Sequence, residues 1–112
     1  PNRQLQRTEE VSRKIADEAG GNKFNLAVIA DQNYEDAYQY FLEWWREPVV
    51  DIDPLRASGT ITDQLFVVCE LPNEKCDPTH NPKAEVANFG WSKIENQWEV
   101  SGVRLFKLVH SQ

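Results

Sequence analysis

Three aspartates of this 112-residue chain occupy positions where carboxylates can do chemistry. Asp31 follows the apolar run FNLAVIA, which is predicted to be a β-strand, and Asp51 and Asp53 lie at the end of the next predicted strand, Val49–Ile52. Ligands of open α/β sheets bind outside the carboxyl ends of the strands, where such carboxylates could hold a divalent cation or act as acid and base. Aspartate also makes turns and caps helices after strands. The spacing of the three residues does not decide between the two interpretations.

Aromatic residues are the second candidate, since the chain has four tryptophans, three tyrosines and five phenylalanines. Tyr40 and Trp44 lie four residues apart and fall beside the apolar face of a predicted helix, away from its centre. Trp98 lies in a segment otherwise rich in Ser, Lys, Glu, Asn and Gln. Exposed aromatic rings stack on sugars and anchor protein interfaces, whereas buried ones fill the core of a small domain. Both roles stay open for these three residues.

Histidines and glycines indicate little further chemistry. His80 lies in the turn THNP and His110 lies near the end of the chain, and neither accompanies a nucleophile in a strand–turn–helix context. The pair Gly20-Gly21 precedes the first predicted strand, whereas a phosphate-binding loop follows a strand and opens a helix. The sequence therefore predicts no nucleotide site and no cofactor.

The two cysteines, Cys69 and Cys76, are separated by the polar segment ELPNEK. This spacing is not that of a structural zinc site. Cys69 ends a predicted strand, and a loop that doubles back could bring Cys76 within bonding range; the alternative is one buried and one exposed thiol. A disulfide would stabilise the fold by about 2–3 kcal/mol and would place the domain outside the reducing cytosol.

The hydrophobic pattern predicts a single small α/β domain. Residues 1–7 are polar and are expected to form a linker or a frayed helix start, before a helix that Thr8 caps. Two apolar strands joined by an amphipathic helix favour a parallel β-α-β unit, and the half-polar strands at the end favour antiparallel pairing at an edge. The result is a sandwich with a mixed sheet over residues 8–110, with a tail at 111–112. Its predicted elements are helix Thr8–Ala19, strand Phe24–Ala30, helix Tyr34–Arg46, strand Val49–Ile52, strand Leu65–Cys69, helix Pro82–Asn88 and strands Trp91–Val100 and Val103–Val109.

Composition narrows the class of protein. The net charge of −6 argues against nucleic acid as the main partner. The longest apolar runs have five residues, far short of the roughly 20 that a membrane span needs. The chain has no methionine and begins with Pro1, from which we expect a processed or excised piece of a longer protein.

Four longer strings resemble a known kind of domain. They are IADQNYEDAYQYFLEWW (29–45), TDQLFVVCE (62–70), NPKAEVANFGW (81–91) and SGVRLFKLVH (101–110). Together they resemble the soluble C-terminal domain that follows the multi-span core of certain bacterial membrane glycosyltransferases. That core is similar to glycosyltransferase family 39, the dolichyl-phosphate-mannose mannosyltransferase group. The resemblance covers most of the chain, from about Phe24 to His110, and includes the strand-end cysteine followed by a second one.

The resemblance implies an extracytoplasmic domain tethered through a preceding membrane region, which would be its main partner. Such a domain would orient a glycan or protein acceptor, cover the active site or bind another protein, and no catalytic residue carries over to it. We therefore expect a non-catalytic accessory or recognition domain that uses the strand ends near Asp31 and Asp53 or the Tyr40 and Trp44 flank. The alternatives are a free-standing metal-dependent hydrolase using Asp31, Asp51 and His80, and an extracytoplasmic protein-interaction module.

Overall fold

The computed structural model describes residues 2–30, 35–70, 76–79 and 84–111, which form a mixed α/β fold. This confirms the predicted fold class. The helices and strands are α1 (Asn2–Ala19), β1 (Asn25–Ile29), α2 (Glu35–Trp44), a 3-10 turn (Pro54–Arg56), α3 (Ala57–Thr60), β2 (Gln64–Cys69), α4 (Ala84–Phe89), β3 (Ser92–Val100) and β4 (Val103–His110). None of the described helices combines the length and the apolar character needed to cross a membrane.

The sheet has four strands in the order β1-β2-β4-β3. β1 and β2 are parallel neighbours, with Asn25 opposite Leu65 and Ile29 opposite Cys69, and α2 lies between them in the chain. β4 is antiparallel to both β2 and β3. The predicted β-α-β unit and the predicted antiparallel pairing of the last strands are therefore both confirmed. β3 alone forms that edge, since β4 lies inside the sheet.

Both faces of the sheet are covered at β1 and β2, which explains why these strands are apolar after their first residues, Asn25 and Gln64. One face packs against α1 and α2, and the other against α4 and the chain around Ile52 and Ile61. Successive residues of β4 alternate between the two cores, so that Leu105 belongs to the first and Phe106 to the second. All residues of β1 and β2 are buried as a result.

The first helix begins earlier than its sequence predicts. α1 starts at Asn2, so residues 2–7 belong to the helix, as the helix-start alternative expects, and Thr8 is an interior residue and not an N-cap. Thr8 is buried and lies on the same helical stripe as Val11, Ser12 and Ile15, all of which face the core. An ion pair between Arg7 and Glu70, at 3.5 Å, holds the early turns of α1 against the end of β2.

The predicted strand Val49–Ile52 is also wrong, since only a single parallel bridge joins Val49 to Phe24. The apolar residues of this segment serve a different purpose. Val49 packs against the first core and Ile52 against the second, so the chain crosses the outer edge of β1 between them. Asp51 lies at this crossing, beside β1 and not beyond its carboxyl end.

A Schellman motif ends α2. The N–H of Glu47 donates to the carbonyl of Leu42 at 2.8 Å, and the N–H of Arg46 donates to that of Glu43 at 2.9 Å. Arg46 adopts a left-handed conformation with φ of 61°, at the position that glycine usually occupies. The helix therefore ends through backbone geometry before Pro48 is reached.

Replacing this arginine tests the strain at the helix end. We expect Arg46→Gly to raise the free energy of unfolding by about 0.5–1 kcal/mol, because glycine reaches positive φ without a steric penalty. Urea denaturation measures the change. Glu10→Gly, at an exposed position in the interior of α1, is a control with the opposite expected sign. Its free energy of unfolding should fall by about 1 kcal/mol. A loss of stability in Arg46→Gly would contradict the assignment of strain.

Candidate functional site

A cleft of about 410 Å³ lies along the outer edge of β1, between α2 and the crossing segment. Leu26 of β1 lines its floor, and Tyr40 and Asp51, two of the residues singled out in the sequence, lie in its walls. The structure thus brings these two together, although they come from different elements. The remaining lining residues are Asp36, Gln39, Glu43 and Ile52.

The side chain of Gln39 connects the two walls of the cleft. Its Nε2 atom donates to Asp51 Oδ1 at 2.7 Å and to Glu43 Oε2 at 3.0 Å. Each of these two carboxylates has a second oxygen, which can accept a hydrogen bond from a ligand. The amide also separates two negative charges that would otherwise repel each other.

An aromatic pair stands next to the cleft. Tyr40 and Trp44 lie one helical turn apart on α2, with ring centroids 5.9 Å apart and planes tilted by 36°. Their side chains are 60% and 66% exposed, so neither serves as core packing. Neighbouring exposed rings of this kind form an apolar patch, a feature typical of interaction sites.

The wall that carries Asp51 is fixed by Asn25, the first residue of β1. The Asn25 side chain is fully buried, and its Nδ2 atom donates to the carbonyls of Val50 at 2.8 Å and Thr60 at 2.9 Å. Its Oδ1 atom accepts from the backbone N–H and the hydroxyl of Thr62, at 2.8 and 2.9 Å. One side chain therefore anchors both ends of the loop that carries Asp51.

The other predicted carboxylates have different positions. Asp31 lies outside the described residues, so its predicted place at the carboxyl end of β1 stays a prediction. Asp53 Oδ1 accepts from the N–H of Leu55 at 3.0 Å, and the N–H of Asp53 donates to Thr60 Oγ1 at 2.9 Å. Asp53 therefore caps the 3-10 turn, as the turn-forming alternative predicts.

Trp98 lies on β3, at the opposite edge of the sheet from the cleft. Its ring is partly buried against the first core, and Lys14 Nζ lies 5.1 Å from the ring centroid. A separate depression there is lined by Gln97, Trp98, Glu99 and Arg104. The structure thus does not bring Trp98 together with Tyr40 and Trp44.

The carboxyl end of β2 carries a partly buried polar cluster that the sequence does not single out. The Tyr38 hydroxyl donates to Glu70, which also pairs with Arg7. Burial, the hydrogen bond to Glu70 and the negative charge of Glu70 raise the pKa of the Tyr38 phenol well above its ordinary range. The cluster joins α1, α2 and β2, and because Tyr38 directly precedes Gln39 and Tyr40, it holds the cleft-facing part of α2 in place.

The cysteines form the predicted disulfide, and the Cα atoms of Cys69 and Cys76 are 6.0 Å apart. Such a pair is compatible with an extracytoplasmic location.

The His110 ring stacks on the Phe89 ring, with their centroids 4.0 Å apart, and its Nε2 atom lies 2.8 Å from the carbonyl oxygen of Thr62. His110 therefore packs as a structural residue. His80 lies outside the described residues.

Metal chemistry gains no support from the part of the chain that the structure describes, where no three His, Cys, Asp or Glu side chains are arranged so that they could hold a metal ion together. The ligand set of the hydrolase alternative, however, includes Asp31 and His80, which are not among those residues.

Three polar residues of the cleft were not predicted from the sequence, namely Asp36, Gln39 and Glu43. Their signal was present, because their spacing places them on the same side of α2 as Tyr40.

Comparisons of the chain with protein-family models, with curated proteins and with solved structures give no match. Support for a function therefore comes from the residues of the fold and the cleft themselves, together with the resemblance of the four strings.

Proposed function

We propose that this chain is a non-catalytic recognition domain that binds a glycan in the cleft beside Tyr40 and Trp44. The observation that carries the proposal is the exposed aromatic pair at the rim of a cleft lined by carboxylate and amide side chains. Aromatic faces stack on the C–H faces of sugar rings, and carboxylates and amides form hydrogen bonds with hydroxyl groups. This combination suits a polyhydroxylated ligand better than a nucleic acid or an apolar molecule.

The proposal extends to the setting of the domain. The resemblance of the four strings suggests a membrane-embedded glycosyltransferase, with this domain outside the cytoplasm orienting an acceptor or covering the active site. The disulfide supports that location, since it would not persist in a reducing compartment. Reading the gene upstream of Pro1 tests the setting: it should encode a run of membrane spans, and a frame without them would overturn this part.

The binding role is tested by titrating the chain with neutral and charged hexose and hexosamine oligosaccharides while recording amide NMR spectra. We expect shifts confined to α2 and the segment around Asp51, and we expect Trp44→Ala to weaken binding about tenfold or more, because it removes half of the ring platform. Trp91→Ala is the matched control, since Trp91 is 78% exposed but directly precedes β3, at the opposite edge of the sheet from the cleft. Equal weakening in both variants, or shifts centred elsewhere, would contradict the proposal.

A further inference from the structure

We infer that the glycan bound by this cleft carries protonated amines, as in hexosamine units whose amino groups are free. The inference rests on the proposed function and specifies its ligand class. Two independent features of the cleft support it. The first is that no lysine or arginine of the described chain lies over the rings of Tyr40 and Trp44, and the second is the negative charge of the side chains that line the cleft.

Other aromatic rings of the fold are already covered by the chain's own cations. The Arg13 guanidinium lies 4.6 Å from the Trp45 ring centroid, Lys14 lies over Trp98, and the Arg104 guanidinium lies 5.6 Å from the ring centroid of Phe106. Among the described residues no such pair involves Tyr40 or Trp44, whose rings are also the more exposed. The electron-rich faces of Tyr and Trp rings attract cations, so the rings of Tyr40 and Trp44 can bind a cation that a ligand supplies.

The lining of the cleft carries negative charge. Its ionisable side chains, apart from the phenol of Tyr40, are Asp36, Glu43 and Asp51, and no lysine, arginine or histidine lines it among the described residues. A ligand with carboxylate or phosphate groups would meet only like charge here, whereas an ammonium group would gain both ion pairing and hydrogen bonds.

The amide of Gln39 makes the cleft specific for an ammonium donor. Gln39 already donates to one oxygen of Glu43 and one of Asp51, which fixes the two carboxylates on opposite walls with their other oxygens available to a donor. An ammonium group has three N–H donors and can bridge such a pair, whereas an N-acetyl group offers one N–H and adds a carbonyl that the carboxylates repel.

The test compares the affinities of a free-amine glucosamine oligosaccharide and its N-acetylated counterpart of equal length, by calorimetry at low ionic strength. At about pH 6, where the amine is protonated, we expect the free-amine oligomer to bind about tenfold more tightly, and the difference to shrink in 0.15 M salt. A lysine oligomer of equal charge is the third ligand and should bind more weakly than the free-amine sugar.

Variants that remove one negative charge show which residue causes the preference for the free-amine sugar. Glu43→Gln should remove most of the preference for the free amine while keeping binding of the N-acetylated sugar, and Glu10→Gln, on the exposed face of α1, should change neither. Equal affinity for both sugars would overturn the inference and leave glycan recognition standing. A lysine oligomer that binds as tightly as the sugar would overturn it in favour of a basic peptide, and binding of no oligosaccharide at all would overturn both proposals.

Discussion

Asn25→Asp should cost the fold at least about 3 kcal/mol at neutral pH, the largest effect that we expect from a single atom exchange in this protein. The wild-type Nδ2 atom donates to the carbonyls of Val50 and Thr60 at 2.8 and 2.9 Å. In the variant an oxygen takes its place, so two donor bonds become two contacts between a buried negative charge and carbonyl oxygens. The side chain has no exposed surface through which water could compensate.

The cost should depend on pH in a defined direction. Burial and the two carbonyls favour the neutral acid, so the pKa of the introduced carboxyl group would be higher in the folded than in the unfolded chain. The folded variant then binds more protons, and its stability falls as the pH rises from acidic to neutral values. We therefore expect the stability gap to the wild type to be smaller at about pH 4 than at pH 7.

Urea denaturation at the two pH values measures this gap. Asn96→Asp is the matched control, because Asn96 is exposed and its Oδ1 atom accepts from the N–H of Gln97, a role that a carboxylate keeps. It should change stability by less than about 0.5 kcal/mol at both pH values. A similar loss in the two variants would mean that added charge, and not the position of Asn25, causes the effect.

The same substitution links the fold to the candidate site. Asn25 also accepts from the backbone and hydroxyl of Thr62, so it holds both ends of the loop that carries Asp51. A folded population of Asn25→Asp at acidic pH should therefore show altered amide shifts around Asp51, while the hairpin of β3 and β4 at the far edge stays unchanged.

The elements whose residue pattern fits only one kind of structure could be predicted from the sequence. β1 and β2 are buried on both faces, and a short run of apolar residues has few other uses at that length. The predictions of Thr8 as an N-cap and of Val49–Ile52 as a strand were wrong because their residue types suit two structural roles. Threonine caps helices but also fits a buried helical stripe, and apolar residues that cross a sheet edge have the composition of a strand.

The candidate site could be predicted only in part. Tyr40 and Asp51 were identifiable, but their common cleft depends on where the chain crosses β1, which is set by tertiary contacts. Gln39 and Glu43 lie on the polar side of an amphipathic helix, where most such residues are simply solvated. Asn25 is a polar residue inside an apolar run, and only the partners that satisfy it show that it anchors a loop.

Removing the disulfide should cause the second large loss, about 2–3 kcal/mol, in Cys76→Ser. The bond closes a short loop in the unfolded chain and so reduces its conformational entropy. Substituting Cys76 is preferable to substituting Cys69, because the Cys69 side chain is buried in the second core and its removal would add a packing defect. Since the total stability of a domain this size is about 5–15 kcal/mol, the loss is a large share of it.

Thermal and urea denaturation with and without a reductant separate the disulfide from the substitution. The wild type should lose stability in reductant and approach the variant, with a Tm lower by roughly 10 °C, whereas Cys76→Ser should not respond to the reductant. Mass spectrometry after alkylation confirms the redox state of each sample. A fully reduced wild type that keeps its stability would show that the fold does not depend on the bond, and would remove the structural support for placing this domain in an oxidising compartment.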